Sequence, residues 1–296
     1  MSVMNKVQYV VGKMFGTSET TKPQKEVIGV AFGSGAARGW SHLGVIRALN
    51  ELGIKAEVVT GTSIGSIAAA IYAAGTIKEA EKFANNLNQL EAASLLMEPR
   101  IPHFGSLKNF IDFSGIIEGK NAMKAISKFV PDVNIEDLKI KYGAVATDLY
   151  SEQAVEFTSG NLREAIRASI SIPGIFTPVE RGSQLLVDGM LADPIPVSLA
   201  HRLGATKVIA INIAPKVNET FNVKSSHKPN IFGVLDRSWR MVEKITVKAS
   251  VQLQEQDIMI EPLSKNFSPL NFSKAGELIE CGYQATINAL SKSQNL

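Results

Sequence analysis

From residue 26 onward, short apolar runs alternate with longer segments of helical period. Val27 to Phe32 is apolar and stops at a glycine-rich turn, and the segment from Trp40 to Leu52 reads as a helix closed by Gly53. Glu57 to Thr60 is a second short run, followed by a small-residue helix over Ser66 to Ala74 that ends near Gly75. Strand–helix–strand–helix order with short loops predicts an α/β fold with a parallel sheet covered on both faces. Further strands are expected at Tyr142 to Thr147, Ala154 to Thr158, Gln184 to Val187 and Lys207 to Ile213. The last holds the unbroken run Val208-Ile209-Ala210-Ile211, the pattern of a central parallel strand. Helices are expected over Ile77 to Gln89, Gly119 to Phe129, Leu162 to Ser169, Val197 to Leu203, Phe232 to Gln254 and Lys274 to Lys292.

These patterns divide the chain into an amphipathic helix and linker (1–25), a main domain (26–215) and a helical extension packed on it (216–296). In residues 1–15, Met4, Val7, Val11 and Met14 recur at three-and-four spacing with Lys6 and Lys13 elsewhere. That suits an interfacial membrane helix, a dimerisation seam or a helix packed on its own domain. Lys216 to Asn230 is polar and contains Pro229, so it reads as a loop.

Composition narrows the function class. The 296 residues suffice for one large α/β domain or two small ones. A net charge of +3 without a run of Lys or Arg argues against a nucleic-acid partner. With Cys281 the one cysteine, no disulfide can form within the chain, and a reducing, cytoplasmic location is expected. No stretch reaches the eighteen or so apolar residues of a spanning helix, and the first residues do not read as a signal peptide. Neither metal-ligand spacings nor a cofactor motif occur, so no metal or cofactor is expected.

The chemistry concentrates at two turns and one strand end. Gly61-Thr62-Ser63-Ile64-Gly65 joins the second strand to the small-residue helix, the context of a nucleophile elbow, in which a serine at a sharp turn exposes its hydroxyl. Gly33-Ser34-Gly35-Ala36-Ala37-Arg38-Gly39 joins the first strand to the first helix and can aim several backbone N–H groups at one point. A phosphate or an acyl-transfer oxyanion would suit that loop. Arg38 stands where a dinucleotide fingerprint needs its third glycine, and no Walker lysine follows, so the oxyanion reading is preferred. Consecutive parallel strands put both turns on one edge of the sheet. The hydroxyl needs a base. Asp188, in Asp188-Gly189 after the apolar run Gln184 to Val187, is one candidate and Asp193 is its local competitor. His42 falls within the first helix, where it packs or faces solvent. His201 or His227 would serve a Ser–Asp–His α/β-hydrolase, and His103 has no turn signature around it.

In this order, the glycine loop ending Arg38-Gly39, the elbow around Ser63 and Asp188-Gly189 resemble the patatin-like phospholipases. The likeness is to their bacterial branch, which is itself similar to the catalytic domain of neuropathy target esterase. Ala168 to Phe176 resembles the family too, and the likeness runs over Val27 to Ala214 with a weaker echo at Lys274 to Ala285. The resemblance implies a three-layer α/β/α fold with a mostly parallel central sheet. It also implies a Ser–Asp dyad without histidine: Ser63 as nucleophile, Asp188 as base, and the amides of Gly35, Ala36 and Ala37 as oxyanion donors. Gly33, Ser34, Arg38, Gly39, Gly61, Gly65 and Gly189 would support the loop and elbow. Arg38 would order the loop or pair with a lipid phosphate. The implied substrates are phospholipids, lysophospholipids or other acyl lipids, met through peripheral contact at the inner face of a membrane. A non-catalytic, lipid-sensing module on the same fold is the alternative.

Two departures from the family pattern carry expectations. Ser34 and Ala36 stand where the family has glycine, tolerable if φ stays negative, and Met190 follows Asp188-Gly189 where a smaller residue is usual, which would narrow the cleft. The acyl chain is expected to run along Leu95 to Met97, Ile101 to Phe104, Phe110, Phe113, Ile116 and Ile117.

Overall fold

The computed structural model describes residues 25–87, 89–94, 117–214, 231–262, 267 and 272–292. Residues 1–24 and 215–230 lie outside it, and so do the expected amphipathic helix, nearly all of the linker, and the loop around Pro229.

Strands are β1 (Ile28–Phe32), β2 (Val58–Thr62), β3 (Lys141–Asp148), β4 (Gln153–Phe157), β5 (Val179–Arg181), β6 (Gln184–Asp188), β7 (Lys207–Ile211) and β8 (Ile258–Ile260). Helices are α1 (Trp40–Glu51), α2 (Ile64–Ala74), α3 (Ile77–Asn86), α4 (Gln89–Ser94), α5 (Lys120–Ile126), α6 (Leu162–Ser169), α7 (Val197–Arg202), α8 (Ile231–Ser250) and α9 (Ala275–Lys292). The expected strands and most of the expected helices are present. The stretch expected as one helix over 77–89 is instead α3 ending at Asn86, with α4 after it. Two short strands, β5 and β8, had no visible signal, because three residues are too few to show an alternation. β8 comes from the part of the chain expected to be helical and pairs in parallel with β7.

The sheet runs β5-β6-β3-β2-β1-β7-β8, with β4 also paired to β3. β3, β2, β1, β7 and β8 are mutually parallel. β4 and β6 run antiparallel to β3, and β5 antiparallel to β6. Its middle is therefore parallel, as expected, and its antiparallel end contains the Asp188 strand.

Along β3, β2 pairs residues 141–145, β4 pairs 144–148 and β6 pairs 146–148. A strand has two edges, and partners with overlapping registers must lie on opposite ones. Since β4 overlaps both others, β2 and β6 share one edge of β3 and meet there head to head. Thr62 at the end of β2 is opposite Val145, and Asp188 at the end of β6 is opposite the next residue, Ala146. Strand order alone thus brings the two candidate turns together.

Both faces of the sheet are buried. Val30, Phe32, Val59, Ile209 and Ile211 enter a large core with residues of α1, α2, α6 and α9. Their neighbours Ala31, Val58, Val208 and Ala210 enter a smaller one against Val197 and Ala200 of α7. Alternate side chains reach opposite cores, which explains the unbroken apolar run of β7. Among the described residues no helix is long and apolar enough to cross a membrane.

Candidate active site

Ser63 is the single residue between β2 and α2, with φ 57° and ψ −125°. A non-glycine residue there carries backbone strain of about 1–3 kcal/mol and persists because its surroundings hold it. Its N–H donates to Ser169 Oγ at 2.8 Å, and that hydroxyl donates to Val145 O at 2.6 Å. Its carbonyl accepts from Ser66 Oγ at 2.6 Å. The flanking glycines are steric requirements: a Cβ on Gly61 would lie 2.1 Å from the Gly65 carbonyl oxygen, and one on Gly65 would lie 2.1 Å from that of Phe32.

Ser63 Oγ donates to Asp188 Oδ2 at 2.6 Å, with both residues buried. The other carboxylate oxygen accepts from the Met190 N–H at 2.9 Å, and Thr147 Oγ1 donates to the Asp188 carbonyl at 3.0 Å. Burial pushes the Asp188 carboxyl up to about 7; the hydrogen bonds from Ser63 and Met190 oppose the rise, and the negative charge of Glu243 adds to it. Asp193, the competitor, is raised to about 6, also chiefly by burial. Its contribution near the elbow is its carbonyl, which accepts from Thr62 Oγ1 at 2.7 Å.

The glycine loop lies against the elbow. The Gly33 N–H donates to Ile211 O at 3.0 Å, that of Ser34 to Pro194 O at 2.9 Å and that of Arg38 to Gly35 O at 3.2 Å. Those amides hold the loop; Gly35, Ala36 and Ala37, the donors that the family resemblance implies, lie between Ser34 and Arg38. Gly39 closes a 3-10 turn over Ala36–Gly39 and packs on Ile64. One expectation fails here: Ala36 has φ 50°, not a negative value. The loop turns tightly straight after Gly35 at φ 156°, so the next residue enters the left-handed region, which costs an alanine about 1–2 kcal/mol. Met190 is buried and lines a small recess beside Ser63 with Gly35 and Ala36.

Arg38 is a loop-holding residue. Its Nε donates to Gly35 O at 3.1 Å and its Nη2 to Glu243 Oε2 at 2.9 Å. Glu243, from α8, also accepts from Ser34 Oγ at 2.8 Å. Sequence reading missed Glu243, since one glutamate in a mixed helix carries no local signal.

Neither described histidine hydrogen-bonds to Ser63 or Asp188. His42 is buried in α1 with Nε2 2.8 Å from Gly33 O and its ring edge-on to Phe32, and burial pushes it down to about 4. His201 lies with Nδ1 2.9 Å from Ala205 O and Nε2 2.9 Å from Asp257 Oδ2. His103 and His227 are outside the described residues.

Ser63 lines an apolar cavity. Ile64, Ile67 and Ile71 of α2 form one wall, and Leu43, Phe83, Phe129 and Phe176 are among the others. Of the expected channel residues, Ile117 is buried against Ile175 and Phe176, and the rest lie outside the described residues. The described wall could have been found in the three-and-four spacing of 64, 67 and 71 along the elbow helix.

A family model for patatin-like phospholipases matches residues 30–201, more than half of the chain. The chain belongs to the patatin-like phospholipase family. The matched stretch of this patatin-like protein holds the glycine loop, the elbow and Asp188, whereas Glu243 lies beyond it. An uncharacterized NTE family protein of Mycobacterium tuberculosis is 38% identical over 186 residues, covering 63% of this chain and 49% of that protein. Lysophospholipase NTE1 of Saccharomyces cerevisiae is 28% identical over 284 residues, covering 87% of this chain and 16% of the yeast protein. The chain thus spans about half the length of the mycobacterial relative and a smaller share of the yeast one. Human GIVD cytosolic phospholipase A2, solved with methyl gamma-linolenyl fluorophosphonate, aligns with a TM-score of 0.45 at 11% identity, over 99% of this chain and 62% of that one. At that distance the likeness bears on no residue here.

Proposed function

We propose that this patatin-like protein is a serine acyl hydrolase that cleaves carboxylic esters of phospholipids, lysophospholipids or related acyl lipids through a Ser63–Asp188 dyad. The observation that carries the reading is the 2.6 Å hydrogen bond between the two side chains, with Ser63 lining an apolar cavity. The name of the yeast relative, a lysophospholipase, points to the same substrate class.

In this mechanism Asp188 takes the Ser63 proton as the serine oxygen attacks the ester carbonyl carbon. The negative charge moves to the carbonyl oxygen, where the amides of Gly35, Ala36 and Ala37 meet it. The C–O bond to the alcohol then breaks, and the proton on Asp188 goes to the leaving oxygen. Water repeats the sequence on the acyl-serine and frees the fatty acid. An exposed aspartate titrates near 4 and is a feeble base; at about 7 Asp188 is a stronger base, about half of it ionised at neutral pH. Loss of one oxyanion donor typically slows such a reaction by roughly a hundredfold to a thousandfold.

The test compares wild type with Ser63→Ala, Asp188→Asn and His201→Ala for fluorophosphonate labelling and for fatty-acid release from lysophosphatidylcholine. Labelling and release are expected in wild type and His201→Ala and abolished in Ser63→Ala, with Asp188→Asn severely impaired. Equal labelling of wild type and Ser63→Ala would remove the serine nucleophile; an inactive His201→Ala beside an active Asp188→Asn would favour a histidine base.

A further inference from the structure

Helix α8 is amphipathic in an unusual sense, because its outward side carries apolar residues. Glu243 is 4% exposed and faces inward to Ser34 and Arg38. Turning about 100° per residue, Val234, Met241 and Ile245 lie within about 20° of the direction opposite Glu243. They are 46%, 65% and 65% exposed. Of the eight large hydrophobics exposed among the described residues, four belong to α8. Such clustering, unlike scattered exposure, marks a contact surface. Arg237, Lys244 and Lys248 are exposed along one flank of the stripe.

We propose that α8 is an interfacial helix whose outward face docks on an anionic phospholipid surface while Glu243 ties its inward face to the glycine loop. Charge selects the occupant. An apolar stripe with a basic flank matches a bilayer of acidic headgroups over acyl chains. A second copy docking by the same face would set basic flank near basic flank with the helices antiparallel, or against the uncharged flank with Ser238 and Val242 with them parallel, and neither gives the cations an acidic partner. Residues 1–15 of this chain carry Lys6 and Lys13 and neither Asp nor Glu, so they too are mismatched in charge. Position agrees: Trp239, Arg240 and Glu243 of α8 line the same recess as Ser63. A helix lying on lipid would therefore hold the serine beside the surface from which its substrate comes. The purpose of the surface rests on the proposed lipid hydrolase activity; its existence does not.

The experiment uses the full chain carrying Ser63→Ala, so that no lipid is consumed. Sedimentation with vesicles of phosphatidylcholine and phosphatidylglycerol, mixed at roughly three to one, is compared with phosphatidylcholine alone. Binding is expected to the mixed vesicles and to fall steeply with salt. Met241→Ser/Ile245→Ser is expected to weaken it by roughly tenfold or more, given the apolar area withdrawn from the bilayer. Lys244→Glu/Lys248→Glu should weaken binding to the mixed vesicles alone. In the Ser63-intact background, unchanged fluorophosphonate labelling of these exposed-face variants shows that they fold. Failure of the parent to bind mixed vesicles, or binding that the apolar double variant does not change, overturns the proposal. So does a dimer that dissociates in that variant while vesicle binding persists. Hydrolysis of a soluble short-chain ester by wild type without vesicle binding would sink this inference alone; vesicle binding without hydrolysis would sink only the proposed activity.

Discussion

Arg38 and Glu243, 205 residues apart in the chain, form an ion pair at 2.9 Å with side chains 3% and 5% exposed. The pair joins the glycine loop to α8, and Ser34 adds a second hydrogen bond to the same carboxylate. Removing one member of a buried pair leaves the other charge uncompensated, typically at about 3–5 kcal/mol. Glu243→Ala is expected to lose that order of stability in urea unfolding. Glu243→Gln keeps an acceptor for Ser34 and is expected to be milder. It also removes a negative charge that raises the Asp188 carboxyl, so the acid limb of kcat/KM should move to lower pH in this variant.

Asp188 supplies a prediction of stability against pH. Its carboxyl titrates near 3.8 unfolded and about 7 folded. Between those values the folded protein holds a proton that the unfolded chain has lost, so this group's contribution is fully present at low pH and is lost as pH rises through about 7. Asp188→Asn, which stays neutral, should therefore gain stability over wild type as pH rises from about 4 to 7, and the gain should level off above. A difference between the two proteins that stays flat from acid to neutral pH would count against the raised carboxyl. The proposed activity runs the other way, since Asp188 must be ionised to act as its base: kcat/KM of wild type should climb through about pH 7.

Gly189 has no room for a side chain, because a Cβ there would lie 2.2 Å from Val145 O and 2.9 Å from Thr62 Cγ2. Gly189→Ala must push the chain off β3 just after the proposed base. Loss of kcat is expected by roughly a hundredfold, since displacing a reacting group by about 1 Å has that effect. Circular dichroism should show the fold retained. Wild-type turnover in this variant would mean that the placement of Asp188 is not set by that contact.

Ile71 is eight residues beyond Ser63 on α2, about 12 Å along the helix, and lines the apolar cavity. Ile71→Trp is expected to shorten the space for an acyl chain. Release of long-chain acids should fall while hydrolysis of short-chain esters survives. Equal loss across chain lengths would assign the cavity to something other than the acyl chain.

Much of this was readable without coordinates, for local reasons. The elbow, the glycine loop and the strand ahead of Asp188 are each contiguous, and each signals itself by glycines beside an apolar run. The strand of α/β order and the small-residue helix after Ser63 did the same for the centre of the sheet. The left-handed φ of Ala36 is not legible in the sequence, because it depends on how tightly the loop must turn against β7 and the elbow, which is not a property of alanine. The stretch expected to hold the acyl chain lies, except for Ile117, outside the described residues, and the described cavity uses one face of the elbow helix, whose isoleucines look like ordinary core. Glu243 and β8 lie in the tail, where neither period nor motif marks them.

The amino-acid order by itself determined which residues are candidates to react, because a hydroxyl at a glycine-flanked turn and a carboxylate at a strand end are consequences of neighbours within a few positions. Only tertiary structure decided that they meet. β2 and β6 arrive from opposite directions along one edge of β3, and hydrogen-bond register stops them one residue apart. Register between strands far apart in the chain is an energy of pairing and packing, and no local stretch of sequence contains it.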